Sequence, residues 1–424
     1  MRFPALSDLD REQRRIYAEA PSDGAILVIG APGTGKTIMA FHRAKKLHEL
    51  GQRPKVIMFG SVLMQYTSGG SRPDGDFSIS TMHNWAKRWW MNAFRKWPPR
   101  ELGSLFDIDW IEICSKGLAA AKETAVALDW GHLVIDEGQD FPPEMYVTLG
   151  LLSKQLGKGG EKPRVTVFAD DNQRLQIHRN SETAGIRKSL FITGDVNRNF
   201  LLRKNFRNTK EIAKLAGHFQ VGQTSGQAEL PERRGDVPSI LICDSDQELY
   251  DFVARKVKGS PGKQIGVIVC GPSREVTRTY NKLSMRVERS KAKAKVQMYV
   301  NGDKKRPASS LDFDSADTVT VLHQQSAKGL EFDIVFFVGL QRMDLGISGG
   351  VNERMALYVM CSRARSELFL AFSELDVSAP MPTGMALMPP PSAKLCNYVG
   401  VGGFDGTVEK VIAGVEWLAP VFND

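Results

Sequence analysis

Paired cysteines and long apolar runs are both missing from the 424-residue sequence. Its five cysteines are widely scattered and odd in number, and no two of them form a CxxC pair. This distribution excludes a disulfide framework and a cysteine-based metal site, and it favours a reducing compartment. No apolar run approaches the roughly 20 residues needed to span a bilayer, and the N-terminus has no apolar core of signal-peptide length. We therefore predict a cytoplasmic protein without a membrane partner.

A strong excess of charge is also absent. The chain is 42% hydrophobic and 25% charged, which is typical of globular proteins and argues against extended disorder. The net charge of +8 is compatible with a polyanionic partner, but it is spread over 424 residues. Charge alone therefore neither indicates nor excludes a nucleic acid.

Short apolar runs alternate with helix-like segments along most of the sequence. Runs such as 25–30 and 132–136 are apolar at almost every position, which is typical of parallel strands covered on both faces. Two sets of such runs meet near residue 200. The pattern predicts the α/β class, with two lobes that each contain a parallel sheet.

The same pattern predicts the domain limits. The first domain is expected at 1–198, with an aromatic and basic insert at about 84–130, and the second at 199–378. The segment 379–391 is rich in proline and methionine without periodicity, so it is predicted to be a linker. Residues 392–424 are then a C-terminal tail that ends in a helix-like stretch.

A phosphate-binding loop is indicated by GAPGTGKT, residues 30–37, which follows an apolar run and precedes a helix-like segment. In this context backbone N–H groups surround the phosphates, Lys36 reaches the β and γ phosphates, and Thr37 ligates Mg²⁺. The alternative is a glycine-rich turn that binds nothing. The residues expected to hold the nucleotide are Gly30, Gly33, Thr34, Gly35, Lys36 and Thr37. The loop predicts a nucleoside triphosphatase.

Carboxylates directly follow another apolar run in HLVIDEGQDFPP, residues 132–143. A phosphate loop needs a carboxylate on a second strand end to hold Mg²⁺ and another to activate water. Asp136 is expected near the metal and Glu137 is expected to be the general base. The alternative is a polar turn that leads into a helix near Pro142 and Pro143.

DEGQDF, residues 136–141, resembles the DExQD motif of superfamily 1 helicases of the UvrD/Rep type. That resemblance implies two RecA-like domains, ATP and Mg²⁺ in the cleft between them, and a single strand of nucleic acid across both. Further stretches match the family in order: LSDLDREQ (6–13), VIMFGSVLMQY (56–66), STMHNW (80–85), VFADDNQ (167–173), LLRKNFRNTKEI (201–212), TVLHQQSAKGLEFDIVFF (320–337) and ERMALYVMCSRAR (353–365).

The resemblance assigns roles at the ATP site. Gln13 is expected to read adenine, Phe206 to stack on it, and Glu331 to contact the ribose. Gly329 and Gln173 are expected beside the γ-phosphate. Arg207 and Arg363 are expected to reach the γ-phosphate across the cleft, as arginine fingers do.

The resemblance also implies contacts with the nucleic-acid strand. The residues it indicates are Phe59, Ser61, Thr81, His83, Trp85, His178, Arg179, Gln325 and Ser326, with His323 as an alternative to Gln325. His178 stands where relatives carry a base-stacking tryptophan, and the 59–62 stretch lacks the usual polar and basic residues. Both departures predict a weaker hold on the strand.

Two surfaces have open interpretations. The basic stretch 286–306 either binds duplex phosphates or is a solvated helix and hairpin. Four tryptophans of the insert, Trp85, Trp89, Trp90 and Trp97, either offer stacking surfaces or belong to the core.

Spacing indicates a minimal form of the family, because only about 110 residues separate the NFR stretch from SAKGLEF, too few for the large insertion of UvrD and Rep. Two functions follow. One is an ATP-driven helicase or translocase on single-stranded or tailed DNA, moving 3′ to 5′. The other is a DNA-stimulated sensor that regulates a partner such as a nuclease through the tail. RNA is not excluded, and the sequence does not predict an oligomeric state.

Overall fold

The computed structural model describes residues 4–68, 77–104, 107–156, 164–173, 180–222, 228–345, 350–375, 381–402 and 405–418. The chain divides into two compact units, Met1–Arg203 with Thr224–Ala228 and Lys204–Gln223 with Glu229–Asp424. Among the described helices, none has the length and apolar character that a membrane crossing requires.

The first unit is built on a six-stranded sheet in the order β3-β2-β4-β5-β1-β6, in which every pair is parallel. Its strands are β1 (Ala25–Gly30), β2 (Pro54–Met58), β3 (Ser78–Thr81), β4 (His132–Ile135), β5 (Val165–Ala169) and β6 (Asn199–Leu202). Its helices are α1 (Arg11–Glu19), α2 (Lys36–Glu49), α3 (Ser61–Ser68), α4 (Met82–Phe94), α5 (Trp110–Leu128), α6 (Pro143–Leu156) and α7 (Thr183–Ser189).

The central strands of this sheet explain where polar groups can gather. Every residue of β1, β4 and β5 is buried, as expected for parallel strands covered on both faces. In parallel sheets, polar loops at the carboxyl ends of such strands form binding sites. Three adjacent strand ends therefore bring the loops after Gly30, Ile135 and Ala169 together.

The second unit contains a seven-stranded sheet in the order β13-β7-β12-β11-β8-β10-β9, again parallel throughout. Its strands are β7 (Ser239–Cys243), β8 (Gln264–Val269), β9 (Lys295–Tyr299), β10 (Thr318–His323), β11 (Phe332–Val338), β12 (Ala364–Phe372) and β13 (Asn397–Val401). Its helices are α8 (Lys210–His218), α9 (Asp246–Lys258), α10 (Arg274–Arg289), α11 (Val351–Cys361) and α12 (Asp405–Leu418). The predicted α/β class with two parallel-sheet domains is confirmed.

The limits of the domains and of the linker differ from the predicted limits at two places. Residues 199–202, expected to open the second domain, form β6 and pair with β1 of the first unit. Residues 381–391 of the expected linker are packed: Thr383–Leu387 is a 3-10 helix whose Met385 is fully buried. β13 then joins the sheet beside β7, so the described part of the tail extends the second unit.

The aromatic insert is a packed layer of the first unit. Trp85 stacks on Trp89 at 5.3 Å and lies 6.3 Å from Trp110, and its side chain is 4% exposed. Trp90 is 2% exposed, so the core interpretation holds for these three residues of the predicted set. Trp97 differs, because it is 56% exposed with the ammonium of Lys87 3.8 Å above its ring.

Candidate active site

The phosphate loop takes the backbone conformation that its glycines allow. Gly33 and Gly35 have φ of +81° and +86°, a region that disfavours side chains, and α2 begins immediately afterwards at Lys36. A Cβ on Gly35 would lie 2.6 Å from Nε2 of Gln13. The two glycines therefore let the backbone curve tightly before α2, so that N–H groups at the helix N-terminus can face a phosphate.

Lys36 folds over this loop. Its buried Nζ donates to the carbonyl oxygen of Gly30 at 2.6 Å and to that of Ala31 at 3.3 Å. An ammonium group held by main-chain carbonyls inside the loop is placed to exchange them for phosphate oxygens.

Thr37 and Asp136 meet at the carboxyl ends of β1 and β4. The hydroxyl of Thr37 donates to Oδ2 of Asp136 at 2.7 Å. Asp136 is fully buried, and burial together with the neighbouring Glu137 raises its pKa to about 7. Its Oδ1 has no hydrogen-bond partner among the described residues. The site thus has a buried carboxylate oxygen without a partner beside a hydroxyl.

This pair fits Mg²⁺, which takes oxygen ligands and commonly uses one or two carboxylates with substrate phosphates and water. Thr37 and Asp136 are the residues that would hold it. A protein-only cage is not needed, and no cluster of three or more His, Cys, Asp or Glu suited to a metal occurs within the described part of the chain.

Glu137 is held in a strained conformation beside Asp136. Its φ is +54°, in the left-handed region that costs a non-glycine residue energy. Gln139 donates from Nε2 to Oε2 of Glu137 at 2.6 Å, and its Oε1 accepts the backbone N–H of Asp170 at 3.0 Å. Gln139 therefore links the ends of β4 and β5 and orients the carboxylate of Glu137.

Asp170 is a further buried carboxylate, outside the set of predicted site residues. Burial raises its pKa, and its Oδ2 accepts a hydrogen bond from Nε2 of Gln173 at 2.8 Å. The signal was present in the sequence, because Asp170 follows buried β5 directly, as Asp136 follows β4. Gln173, which the resemblance places near the γ-phosphate, is therefore joined to the same network as Glu137.

The alternative interpretation of residues 136–143, a polar turn that leads into a helix, also agrees with the structure. α6 begins at Pro143, and Asp140 accepts a hydrogen bond from Asn180 at 3.1 Å. The two interpretations are compatible, because the site residues Asp136, Glu137 and Gln139 lie in the turn that precedes this helix.

Gln13 lies against the phosphate loop. It forms a capping box with Asp10 at the start of α1, and its Nε2 donates to the carbonyl oxygen of Thr34 at 3.1 Å. The expected contact with adenine stays a prediction.

The second unit contains the other residues expected at the ATP site. Arg207 pairs with Glu331 at 2.6 Å, and Arg365 donates to the other oxygen of Glu331 at 2.8 Å. Burial alone would raise the pKa of Glu331, but the two guanidinium groups outweigh it and hold that pKa far below its ordinary value. Phe206 is 47% exposed, and Gly329 has φ of +79°.

Arg363 is buried to 1% exposure. Its Nε donates to the carbonyl of Val359 at 2.8 Å, and its Nη2 donates to the hydroxyl of Ser362 at 2.8 Å. Its guanidinium group is thus hydrogen-bonded to the end of α11, and its Nη1 also donates to the carbonyl oxygen of Leu330 at 3.4 Å.

Six residues expected to contact the nucleic-acid strand are exposed or partly exposed. Phe59 is 46% exposed, and His83 and Gln325 are exposed as well. Thr81 caps α4 by accepting from the backbone N–H of Asn84 at 3.4 Å. Ser61 opens α3 and Ser326 is half-buried.

The structure contradicts the expected contact of Trp85 with the nucleic-acid strand. The ring of Trp85 is enclosed by other tryptophans, so it is a core residue and offers no free face to a base. His178 and Arg179 lie outside the described residues. His323, the alternative to Gln325, has its Nε2 2.8 Å from the carbonyl oxygen of Gly271.

Part of the basic stretch 286–306 is neutralised within the second unit. Arg286 pairs with Asp251 at 2.9 Å, and Lys295 lies 3.7 Å from Asp312. These pairs favour the interpretation as a solvated helix and hairpin.

No curated protein matches the chain significantly. Two solved structures are similar: the C-terminal domain of a possible DNA helicase from Lactobacillus plantarum WCFS1, with 19% identity, TM-score 0.31 and coverage of 46% of this chain and 98% of that one; and the Pif1 helicase from Candida albicans, with 14% identity, TM-score 0.43 and coverage of 86% and 95%. At these TM-scores neither likeness defines the fold or the function.

A family model described as an AAA domain matches residues 13–179. The matched region contains the phosphate loop, Asp136, Glu137 and Gln173. The UvrD/Rep subtype stays a prediction. At the level of the superfamily the resemblance is confirmed: the chain carries an AAA domain of the kind found in UvrD- and Pif1-type superfamily 1 helicases.

Proposed function

We propose that the chain is a Mg²⁺-dependent ATPase that moves along single-stranded DNA. The observation that carries the ATPase activity is the 2.7 Å hydrogen bond between Thr37 and Asp136, beside a buried Oδ1 of Asp136 that has no partner among the described residues. Movement along DNA rests on the resemblance to superfamily 1 helicases. The hydroxyl of Thr37 and the carboxylate at the end of β4 are already within hydrogen-bond distance, which supports a Mg²⁺ site formed by these two residues.

The proposed roles at this site follow from the contacts. Lys36 and the loop N–H groups bind the phosphates, and Glu137 accepts the proton of the attacking water. Gln139 holds the Glu137 carboxylate in place for that step. Bound Mg²⁺ neutralises charge on the phosphates.

The remaining proposed roles come from the resemblance. Gln13, Phe206 and Glu331 recognise the nucleoside, Gln173 and Gly329 respond to the γ-phosphate, and Arg207 and Arg363 stabilise charge on the transferred phosphoryl group. The nucleic-acid strand is contacted by Phe59, Ser61, Thr81, His83, Gln325 and Ser326. Movement is proposed to run 3′ to 5′.

A second candidate is a DNA-stimulated ATPase that acts as a sensor and regulates a partner such as a nuclease. One observation favours it: the ring of Trp85 is buried, which removes one of the expected base contacts and weakens the hold on the strand.

Two assays separate these candidates. ATPase rates are measured with single-stranded DNA, duplex, tailed duplex and RNA, and strand displacement is measured on the tailed duplex. Stimulation by single-stranded DNA together with unwinding supports the helicase. Stimulation without unwinding by the isolated chain supports the sensor, and absence of stimulation by every nucleic acid contradicts both.

A further inference from the structure

Two short loops of the second unit carry the arginines that we propose act on the phosphoryl group. They are residues 205–208, which contain Arg207, and residues 362–365, which contain Arg363; we call them the arginine loops. They are far apart in sequence, so contacts that join the two loops bear directly on the geometry between the two arginines.

Asn208 joins them directly. Its side chain is 1% exposed, and its Nδ2 donates to the carbonyl oxygen of Ser362 at 3.2 Å and to that of Ala364 at 2.6 Å. These two carbonyls flank Arg363 on either side. One buried amide therefore fixes the main chain on both sides of the second arginine.

Asn208 is itself held firmly. Its Oδ1 accepts from Nδ2 of Asn205 at 2.9 Å. Oδ1 of Asn205 in turn accepts the backbone N–H groups of Arg207 and Asn208, at 3.0 and 3.2 Å. The side-chain amide of Asn208, which is hydrogen-bonded to the main chain around Arg363, thus belongs to the turn that contains Arg207.

Further contacts tie the same loops together. Nη1 of Arg207 donates to the carbonyl of Ser362 at 3.4 Å, and Glu331 accepts hydrogen bonds from both Arg207 and Arg365. Arg233 donates to the backbone carbonyls of Arg207 and Arg365, but it does so from an exposed position. Among these ties, that of Asn208 is the most deeply buried and the only one that flanks Arg363 on both sides.

We propose that Asn208 is a positioning residue for ATP hydrolysis: it holds the main chain of the two arginine loops together so that Arg207 and Arg363 act as one unit. This inference rests on the proposed ATPase function. A serine hydroxyl at this position could donate only one hydrogen bond, so it could not replace both bonds of the amide.

The test compares Asn208→Ala and Asn208→Ser with the wild-type chain in a DNA-stimulated ATPase assay. Displacement of catalytic groups by about 1 Å can cost about 100-fold in rate, so we expect kcat to fall about 10- to 100-fold in Asn208→Ala. Asn208→Ser should lie between it and the wild type. KM for ATP should stay within about threefold, because the phosphate loop is unchanged.

A destabilised control separates positioning from loss of stability. Val287→Ala removes buried volume from α10 in the same unit without touching the arginine loops. The second readout is the ratio of the affinities for ADP with aluminium fluoride and for ADP alone, which reports stabilisation of the transferred phosphoryl group. That ratio should fall in both Asn208 variants and stay at the wild-type value in Val287→Ala.

A wild-type kcat and affinity ratio in Asn208→Ala overturn the positioning role while the ATPase proposal stands. The same holds if kcat falls equally in Val287→Ala at a matched melting temperature. A wild-type chain that neither binds nor hydrolyses ATP overturns the proposed function, and this inference with it.

Discussion

Substitution of Asp136 by Asn should stabilise the chain in the absence of Mg²⁺ and nucleotide. Asp136 is fully buried, and its pKa is raised from 3.8 to about 7 by burial and by Glu137. A carboxyl whose folded-state pKa is raised contributes stability below its unfolded pKa, and this contribution is lost as pH rises through the folded pKa. At pH 8 the buried charge therefore costs up to about 4 kcal/mol.

Asp136→Asn removes that cost, although the new amide places a donor where Oδ1 has no partner. An unmade buried hydrogen bond costs about 1 kcal/mol or more, so we expect a net gain of about 3 kcal/mol at pH 8. For a unit of this size the gain corresponds to a rise in Tm of roughly 6 to 12 °C. Near pH 4 the difference should almost vanish, because the carboxyl of Asp136 is then protonated in the folded chain.

Thermal unfolding by circular dichroism between pH 4 and 8.5 in chelator measures this directly. Asp312→Asn is the matched control, because hydrogen bonds from Ser315 lower the pKa of Asp312 and its substitution should reduce Tm at neutral pH. A lower Tm for Asp136→Asn at pH 8, or a gain independent of pH, would show that the buried charge of Asp136 does not destabilise the chain. Adding Mg²⁺ with ATP should reverse the order, since only the wild type retains the carboxylate.

Three further results are expected. Glu137→Gln should abolish ATP turnover while ATP binding, followed with a fluorescent analogue, is retained; persistent turnover would rule out Glu137 as the base. Trp85→Phe should lower the free energy of unfolding by about 1–3 kcal/mol with unchanged DNA affinity, whereas Trp97→Ala should leave stability nearly unchanged; a large loss of DNA affinity in Trp85→Phe alone would contradict its core role. Glu331→Gln should destabilise the second unit, because Arg207 and Arg365 lose their shared carboxylate partner; a rise in Tm would show that the desolvation cost of this carboxylate exceeds its attraction to the two arginines.

The residues of the proposed nucleotide site could be selected from the sequence because their patterns are local. The phosphate loop needs glycines, Lys36 and Thr37 within eight positions, and Asp136 follows an apolar strand. Which strands are neighbours is not local, so the position of Asp170 relative to Glu137 could not be predicted. Its link to Glu137 through Gln139 depends on the pairing of β4 with β5.

Packing also limited the prediction from sequence. Tryptophans near basic residues are typical both of a base-stacking surface and of a core, and only the contact of Trp85 with Trp89 and Trp110 decides between them. The proline- and methionine-rich segment has no periodicity, yet Met385 is buried because the 3-10 helix around it packs on Met343 and Leu340. Such contacts depend on the folded second unit and have no local signature.

The most direct test of the central claim is the steady-state ATPase rate of the wild-type chain with Mg²⁺, with and without single-stranded DNA. We predict hydrolysis that requires Mg²⁺, rises several-fold on addition of single-stranded DNA, and disappears in Glu137→Gln. An ATPase rate that is zero under all conditions, or that is unchanged by chelation of Mg²⁺, would contradict the account.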